Sequence, residues 1–196
     1  MDVDCSEIFS FQTSGGPGGT LSLSPLDPGL PAEELHLGVL TPEEPVAFRL
    51  QHRRKLGDVV GTGYPGLHVV SGTVLAVLAE NRFTGWSTFP IHVSGPMGER
   101  FAEYRGLSVA GRSGPIDDSL TGRVLLPPFV PGGAPVPHYQ GFCPEPGSWD
   151  GSDLFVPEGT FYTCVTSPVR DALVSAGVVG ASFHRMSEIT LLVWDE

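Results

Sequence analysis

The sequence predicts an α+β protein with a mixed sheet, and three observations support this fold class. The chain has 196 residues, of which 40% are hydrophobic, enough to bury a substantial core. Two segments each show the pattern of strand, helix and strand. Glycine and proline number 26 and 19, which indicates many turns and long loops between short elements.

Two stretches rich in proline and glycine are predicted to be loops, because these residues interrupt helices and strands. They are TSGGPGGTLSLSPLDPGLP at 13–31 and PPFVPGGAPVP at 127–137. The second stretch either joins two lobes, 1–126 and 138–196, or is a surface excursion of one domain. We expect a single domain over 1–196.

The two strand–helix–strand segments resemble each other. LHVVSGTVLAVLAENRFTGWSTFPI at 67–91 matches FYTCVTSPVRDALVSAGVVGASFHRM at 161–186 with an offset of about 95 residues. The offset aligns apolar positions and one glycine of each segment: Val74 with Val169, Leu78 with Leu173, and Gly85 with Gly180. Duplication of one unit and chance similarity of two such segments both explain the match.

Each unit begins with a strand followed by a helix start. Residues 67–70 and 161–165 favour strands. Ser71 is a suitable cap for the first helix, and Ser167 followed by proline predicts the start of the second. Val74 and Leu78 are four residues apart, as are Val169 and Leu173, and this spacing predicts one buried face on each helix.

The ends of the helices and the later strands follow from similar signals. Asn81 and Gly177 are predicted to end the helices in a left-handed conformation. Strands are expected at 86–93 and 181–186, and further strands near 101–110 and 189–194. If the strands that flank a helix share a sheet, the crossover is right-handed.

Charge and cysteine content restrict the partners and the compartment. The net charge of −11 opposes binding to nucleic acid or to an anionic membrane. The basic run at 52–55 is predicted to be a solvated surface segment. Three scattered cysteines predict reduced thiols, and no apolar run is long enough to cross a bilayer. We therefore expect a soluble, cytoplasmic protein.

The polar stretch SWDGSDLF at 148–155 is predicted to be a turn. Asp150 and Asp153 flank a Gly-Ser pair, and such side chains commonly bind their own backbone. A calcium loop needs about six oxygen ligands, which this stretch does not supply. Asp117 and Asp118 are likewise predicted to lie in a solvated turn.

Sequence motifs of catalysis and cofactor binding do not emerge. A hydrolase elbow would read G-x-S-x-G, and neither GRSGP at 111–115 nor VVSGT at 69–73 has this form. GTGYPG at 61–66 lacks the Lys and Ser/Thr of a phosphate loop and is predicted to be a turn. The six histidines show no metal-ligand spacing. We expect no catalytic, cofactor-binding or metal-binding residue.

Three segments resemble the immunity proteins of bacterial polymorphic-toxin systems, the group of immunity protein 11 and its relatives. They are VVSGTVLAVLAENRFTGWSTFPI (69–91), YRGLSVAGRSGPID (104–117) and WDGSDLFVPEGTFYTCVTSPVRDALVSAGVVGASFHRMSE (149–188). The resemblance covers about 60–190 and implies a cytosolic protein that occludes a cognate toxin. The paired C-x-x-C motifs of some such proteins are missing, so zinc is not implied.

The expected partner is therefore a toxin protein, bound by exposed acidic residues on predicted loops. The candidate contact residues are Asp117, Asp118, Asp150 and Asp153. Two alternatives stay open. One is a small enzyme with a site between the two units, for example where His68, His92 and Asp153 converge. The other is an interaction module unrelated to toxins. The oligomeric state is open as well.

Overall fold

The computed structural model describes residues 4–14, 23–50 and 56–192 and confirms the α+β fold class. Its α-helices are α1 (Ala32–His36), α2 (Gly72–Glu80) and α3 (Ser167–Ser175). The strands are β1 (Ile8–Thr13), β2 (Leu23–Pro25), β3 (Val46–Leu50), β4 (Val59–Gly61), β5 (His68–Ser71), β6 (Trp86–Phe89), β7 (Ile91–Ser94), β8 (Tyr104–Val109), β9 (Gly111–Ser113), β10 (Gly122–Leu126), β11 (Val136–Gln140), β12 (Leu154–Pro157), β13 (Cys164–Thr166), β14 (Ala181–Arg185) and β15 (Thr190–Leu192).

Two sheets contain the related units, and the four strands of the first correspond to four of the five strands of the second. One sheet has the order β4-β5-β8-β6, and the other has the order β14-β1-β13-β12-β9. In the first, β5 and β6 flank β8, and α2 connects them. In the second, β13 and β14 flank β1, and α3 connects them. Each helix therefore joins two strands of one sheet across a third strand inserted from elsewhere in the chain.

Residues on either side of 127–137 share the second of these sheets. β1, near the amino terminus, pairs with β13 and β14. β9 pairs in parallel with β12. The two lobes considered from the sequence are thus connected by backbone hydrogen bonds within one sheet.

The main hydrophobic core lies between the two units. Val74 and Leu78 of α2 and Val169 and Leu173 of α3 are each at most 1% exposed and belong to one cluster of buried side chains. The two helices also contact each other. The buried face predicted for each helix is confirmed. No helix in the described ranges is long and apolar enough to cross a membrane.

Two smaller sheets lie outside this pair. β2, β3 and β7 form one, with β3 parallel to β7. β10, β11 and β15 form the other, which is antiparallel. The sequence prediction of strands near 101–110 and 189–194 is confirmed by β8 and by β15 within the described residues.

Several predicted boundaries differ from the structure. The strand expected at 86–93 is two strands in different sheets, because Pro90 between them has no N–H for a continuous ladder. The strand expected at 161–165 begins only at Cys164, since the preceding residues form a loop. The predicted loop 13–31 contains β2, which pairs with β3, and the loop 127–137 ends in β11. The basic run 52–55 lies outside the described residues.

The helix caps were predicted in part. Ser71 caps α2 and accepts a hydrogen bond from Thr73 N at 3.2 Å. The cap of α3 is Thr166 rather than Ser167, and Thr166 makes no capping bond through its side chain. Gly177 is left-handed as predicted, with φ of 69°. Asn81 remains right-handed, because the left-handed residue at the end of α2 is the next one, Arg82, with φ of 57°.

The prediction of three reduced thiols is wrong for two of the cysteines. Cys5 and Cys143 form a disulfide, although 138 residues separate them in sequence. Their Cα atoms are 5.7 Å apart, within the range that a disulfide spans. Cys164 is a free, buried thiol. The spacing in sequence could not reveal this bridge, because only the tertiary fold brings the two residues together.

Candidate functional site

The two related units interlock at the turn that follows each helix. Asp153, just before β12, accepts hydrogen bonds from Thr84 N and Oγ1 at 2.8 and 2.9 Å. Leu154 N donates to Thr84 O at 3.1 Å. The acidic group of the second unit thus fixes the turn between α2 and β6 of the first unit.

The reciprocal contact is present on the other side. Asp58, just before β4, accepts a hydrogen bond from Val179 N at 2.9 Å and from Ser71 Oγ at 2.6 Å. Val59 N donates to Val179 O at 3.1 Å. Asp58 and Asp153 occupy equivalent positions, as do Thr84 and Val179, at the same offset that aligned the sequences.

A glycine is required at each of these crossings. Gly85 and Gly180 have φ of 82° and 93°. A Cβ at Gly85 would collide with the carbonyl oxygen of Leu154, and a Cβ at Gly180 would collide with that of Val59. Glycine alone permits both the backbone angle and the close approach. The match noticed in the sequence is therefore a match of contacts in the structure.

This arrangement brings two equivalent hairpin loops to one cavity. Residues 62–67 connect β4 to β5, and residues 158–163 connect β12 to β13. In the first loop Thr62 Oγ1 donates to Leu67 O at 3.0 Å, and in the second Thr160 Oγ1 donates to Pro157 O at 2.9 Å. Each loop is thus held by an internal threonine bond, and both line the same cavity.

The cavity has a volume of about 850 Å³, in the range of small-molecule sites. Its walls are rich in aromatic side chains: Phe11, Tyr64, Phe142, Phe161 and Tyr162. Gln12 and Thr13 of β1 add polar groups to the walls. Leu191 of β15, a strand of the small antiparallel sheet, also lines the cavity. Phe161 and Leu191 are 53% and 46% exposed, so the cavity opens to solvent.

Two buried histidines lie at or behind the wall of the cavity: His68 lines it, and His36 contacts Thr163, which lines it. His68 packs edge-on against Phe11, with ring centroids 5.2 Å apart. Neither ring nitrogen of His68 has a hydrogen-bond partner among the described residues. Burial lowers the pKa of His68 to about 4, with a further contribution from His36. The backbone of Phe11 raises the pKa by a smaller amount, although it forms no hydrogen bond with the ring.

His36 belongs to the same buried group. Its Nε2 lies 3.0 Å from Thr163 Oγ1, and that hydroxyl donates to Gly66 O at 3.4 Å. The hydroxyl therefore accepts from Nε2–H, which leaves Nδ1 of His36 as the unprotonated nitrogen. Burial, together with a smaller effect of the positive charge of Arg112, lowers the pKa of His36 to about 4. Both histidines are neutral at pH 7.

The four acidic residues proposed as partner contacts have different environments. Asp117 caps a short 3-10 helix, Asp118–Leu120, by accepting from Ser119 N at 2.9 Å. Asp150 accepts from Arg112 N at 2.7 Å and from Ser152 N at 2.9 Å, which confirms its predicted role in a turn. Asp153 fixes the interlocking turn described above. These three carboxylates therefore hold backbone groups.

Asp118 differs from the other three. It is exposed, it lines the cavity, and its side chain has no hydrogen bond among the described residues. It is therefore the acidic residue most available to a ligand or partner. The role of the four carboxylates in partner binding stays a prediction.

The three residues considered for an enzyme site do not share the cavity. His68 lines it, but His92 is exposed on β7, and neither His92 nor Asp153 contributes to its walls. Within the described ranges, no group of three His, Cys, Asp or Glu side chains is placed to hold a metal ion. The cavity lies between the hairpin loops of the two units, and the enzyme alternative stays a prediction.

A second candidate surface is the outer face of the sheet β10-β11-β15. Cross-strand pairing places Arg123, Tyr139 and Leu191 side by side, and Leu125 two residues along β10 faces the same way. Leu125, Tyr139 and Leu191 are 70%, 39% and 46% exposed. Leu191 also lines the cavity, so this outer face and the cavity are adjacent. Neither surface could be predicted from the sequence, because Val124, Leu125 and Leu126 are consecutive apolar residues without alternation, and the cavity is lined by residues far apart in the chain.

No protein-family model matches the chain, and no curated protein matches it at a significant level. The resemblance to immunity proteins therefore stays a prediction that rests on the quoted segments.

Proposed function

We propose that this protein is an immunity-type binding protein, which neutralises a cognate toxin by covering the toxin's active site, without catalysis. The observation that supports it best is the outer face of β10-β11-β15. Leu125 and Tyr139 project into solvent there on a regular sheet, and a rigid exposed apolar surface is typical of protein-binding sites.

The charge of the protein indicates the chemistry of the partner. Asp117 and Asp118 lie in the turn that leads directly into β10, at one end of the apolar face. The whole chain carries a net charge of −11. Arg123 also lies on this face, but the carboxylates at its end and the net charge of the chain favour a basic partner with an apolar centre. A toxin domain that acts on nucleic acid has such a basic surface, because it must neutralise phosphates.

We place the protein in the cytosol of the producing cell, as the resemblance to immunity proteins implies. The disulfide between Cys5 and Cys143 opposes this location, because cytosolic thiols are kept reduced. Alkylation of thiols in intact cells decides the question. Modification of Cys5 and Cys143 would support the cytosol, and a bridged pair resistant to alkylation would exclude it.

The function is tested by co-expressing the protein with the toxin domain encoded beside its gene. We expect growth to be rescued and the two proteins to purify together. If the toxin domain still kills and no complex forms, the proposal is wrong. Rescue without a complex would also contradict it, because occlusion requires binding.

Variants then locate the contact surface. Leu125→Ser should weaken the complex by roughly tenfold, since fully burying a leucine side chain contributes about 1.5–3 kcal/mol. Val174→Ser on α3 is the matched control, because Val174 is similarly exposed, at 61%, but lies on a helix outside this face. Equal effects of the two variants would place the interface elsewhere.

Asp118→Lys tests the electrostatic part. It should slow association with the toxin domain, and more so at low salt, where charges are less screened. Asp118 suits this test better than Asp117, Asp150 or Asp153, because those residues hold backbone groups. Unchanged association kinetics would remove Asp118 from the interface while leaving occlusion as the function.

A further inference from the structure

We propose that the cavity between the two hairpin loops binds a small aromatic amine, with the ring system against the aromatic walls and the ammonium group at Asp118. This site goes beyond toxin binding and does not depend on it. The size of the cavity, the character of its walls and the charges around it each contribute to this assignment.

The walls select an aromatic ligand of modest size. A volume of about 850 Å³ accommodates a drug-sized molecule. Five of the side chains that line the cavity are aromatic, and they come from β1, from both hairpin loops and from the segment after β11. Aromatic rings contributed from several directions favour a flat apolar ligand through edge-on and offset contacts.

The charges select a cation over an anion. Among the described residues that line the cavity there is no lysine or arginine. His68 is held neutral by burial, which lowers its pKa to about 4. Asp118 supplies a negative charge at the rim. An ammonium group can therefore pair with Asp118 and also lie over an aromatic face, whereas a carboxylate or phosphate would find no cation.

The two hairpin loops preorganise the site. A Cβ at Gly66 would collide with the His36 ring and with Phe161 O, so the first loop is packed directly against the second. Thr163 links them by bonding both His36 and Gly66 O. Because the walls are held by these contacts, ligand binding need not order a flexible loop, which favours affinity.

The test uses three compounds with one ring system: tryptamine, tryptophol and indole-3-acetate. They differ in carrying an ammonium, a hydroxyl or a carboxylate. Isothermal titration of the full-length protein should give saturable binding of tryptamine, about five- to tenfold tighter than tryptophol, as expected for one exposed ion pair with a cation–π contribution. Indole-3-acetate should bind most weakly.

Two variants separate the charge from the walls. Asp118→Asn should reduce tryptamine binding to the level of tryptophol and leave tryptophol unchanged. Glu80→Gln is the matched control: Glu80 is an exposed carboxylate on α2 outside the cavity, and its loss should change neither affinity. Phe161→Ala should weaken both ligands, because it removes a wall.

Three results would overturn the assignment. They are the absence of saturable binding for all three compounds, binding of indole-3-acetate as tight as that of tryptamine, and an unchanged tryptamine-to-tryptophol ratio in Asp118→Asn. The titrations use the isolated protein, so they give the same answer whether or not a toxin complex forms.

Discussion

Acid should destabilise this protein well above the pH at which carboxylates are protonated, because His36 and His68 are buried as neutral rings. The pKa of each is lowered from 6.5 to about 4 in the folded protein. In the unfolded chain both bind protons below about pH 6.5. Their contribution to stability is therefore complete above pH 6.5 and is lost as the pH falls from 6.5 towards 4.

The magnitude follows from the size of the pKa shifts. One pKa unit corresponds to about 1.4 kcal/mol. Each histidine therefore lowers the free energy of unfolding at pH 5 by about 2 kcal/mol relative to pH 8. The two together cost about 4 kcal/mol, a large part of the 5–15 kcal/mol typical of a domain. The rings are close enough for His36 to lower the pKa of His68, so charging one also disfavours charging the other.

Urea denaturation at a series of pH values measures this effect. His68→Leu should remove about half of the stability lost between pH 8 and pH 5, because leucine is apolar and cannot bind a proton. His92→Gln is the control, since His92 is exposed on β7, and its pH dependence should equal that of the unaltered protein. If His68→Leu leaves the loss between pH 8 and pH 5 unchanged, the buried histidine is not its source.

Three further predictions concern stability and use the same unfolding assay. Gly180→Ala should lower the free energy of unfolding by more than about 2 kcal/mol, because the backbone angle and the Val59 carbonyl both oppose a Cβ. Gly177→Ala has the same kind of backbone angle but open space around it, so it should lower the free energy by about 1 kcal/mol. Leu173→Ala should cost about 2–5 kcal/mol through the cavity left between the helices, and a cost below 1 kcal/mol would contradict its burial in the shared core. Replacing Cys5 and Cys143 by serine should cost about 2–5 kcal/mol under oxidising conditions; equal stability with and without reductant in the unaltered protein would show that the bridge does not form.

Local sequence patterns were sufficient to predict the two strand–helix–strand units, but they did not predict which strands pair with them. Val74 and Leu78 were recognised as buried because a four-residue spacing defines one helical face, and a helix start needs only nearby residues such as Ser71. The strand order was not predictable, because each unit takes in a strand from outside it: β8, which follows the first unit, and β1, which lies about 150 residues before the second.

The candidate site shows the same division. Asp150 was interpreted correctly as a turn residue, since its bond to Ser152 N lies within the same loop. The roles of Asp153 and Asp58 were not visible, because each carboxylate binds the turn of the other unit. The cavity arises where the two hairpin loops meet β1, so no single segment carries its pattern.

The sequence alone determined the α+β class, the positions of two related strand–helix–strand units and the buried face of each helix, because these depend on residues within a few positions of one another. The tertiary structure decided how the units interlock, that Cys5 and Cys143 meet, and that aromatic side chains from separate loops enclose one cavity. Those features depend on contacts between residues far apart in the chain, which hydrophobic periodicity and spacing do not encode.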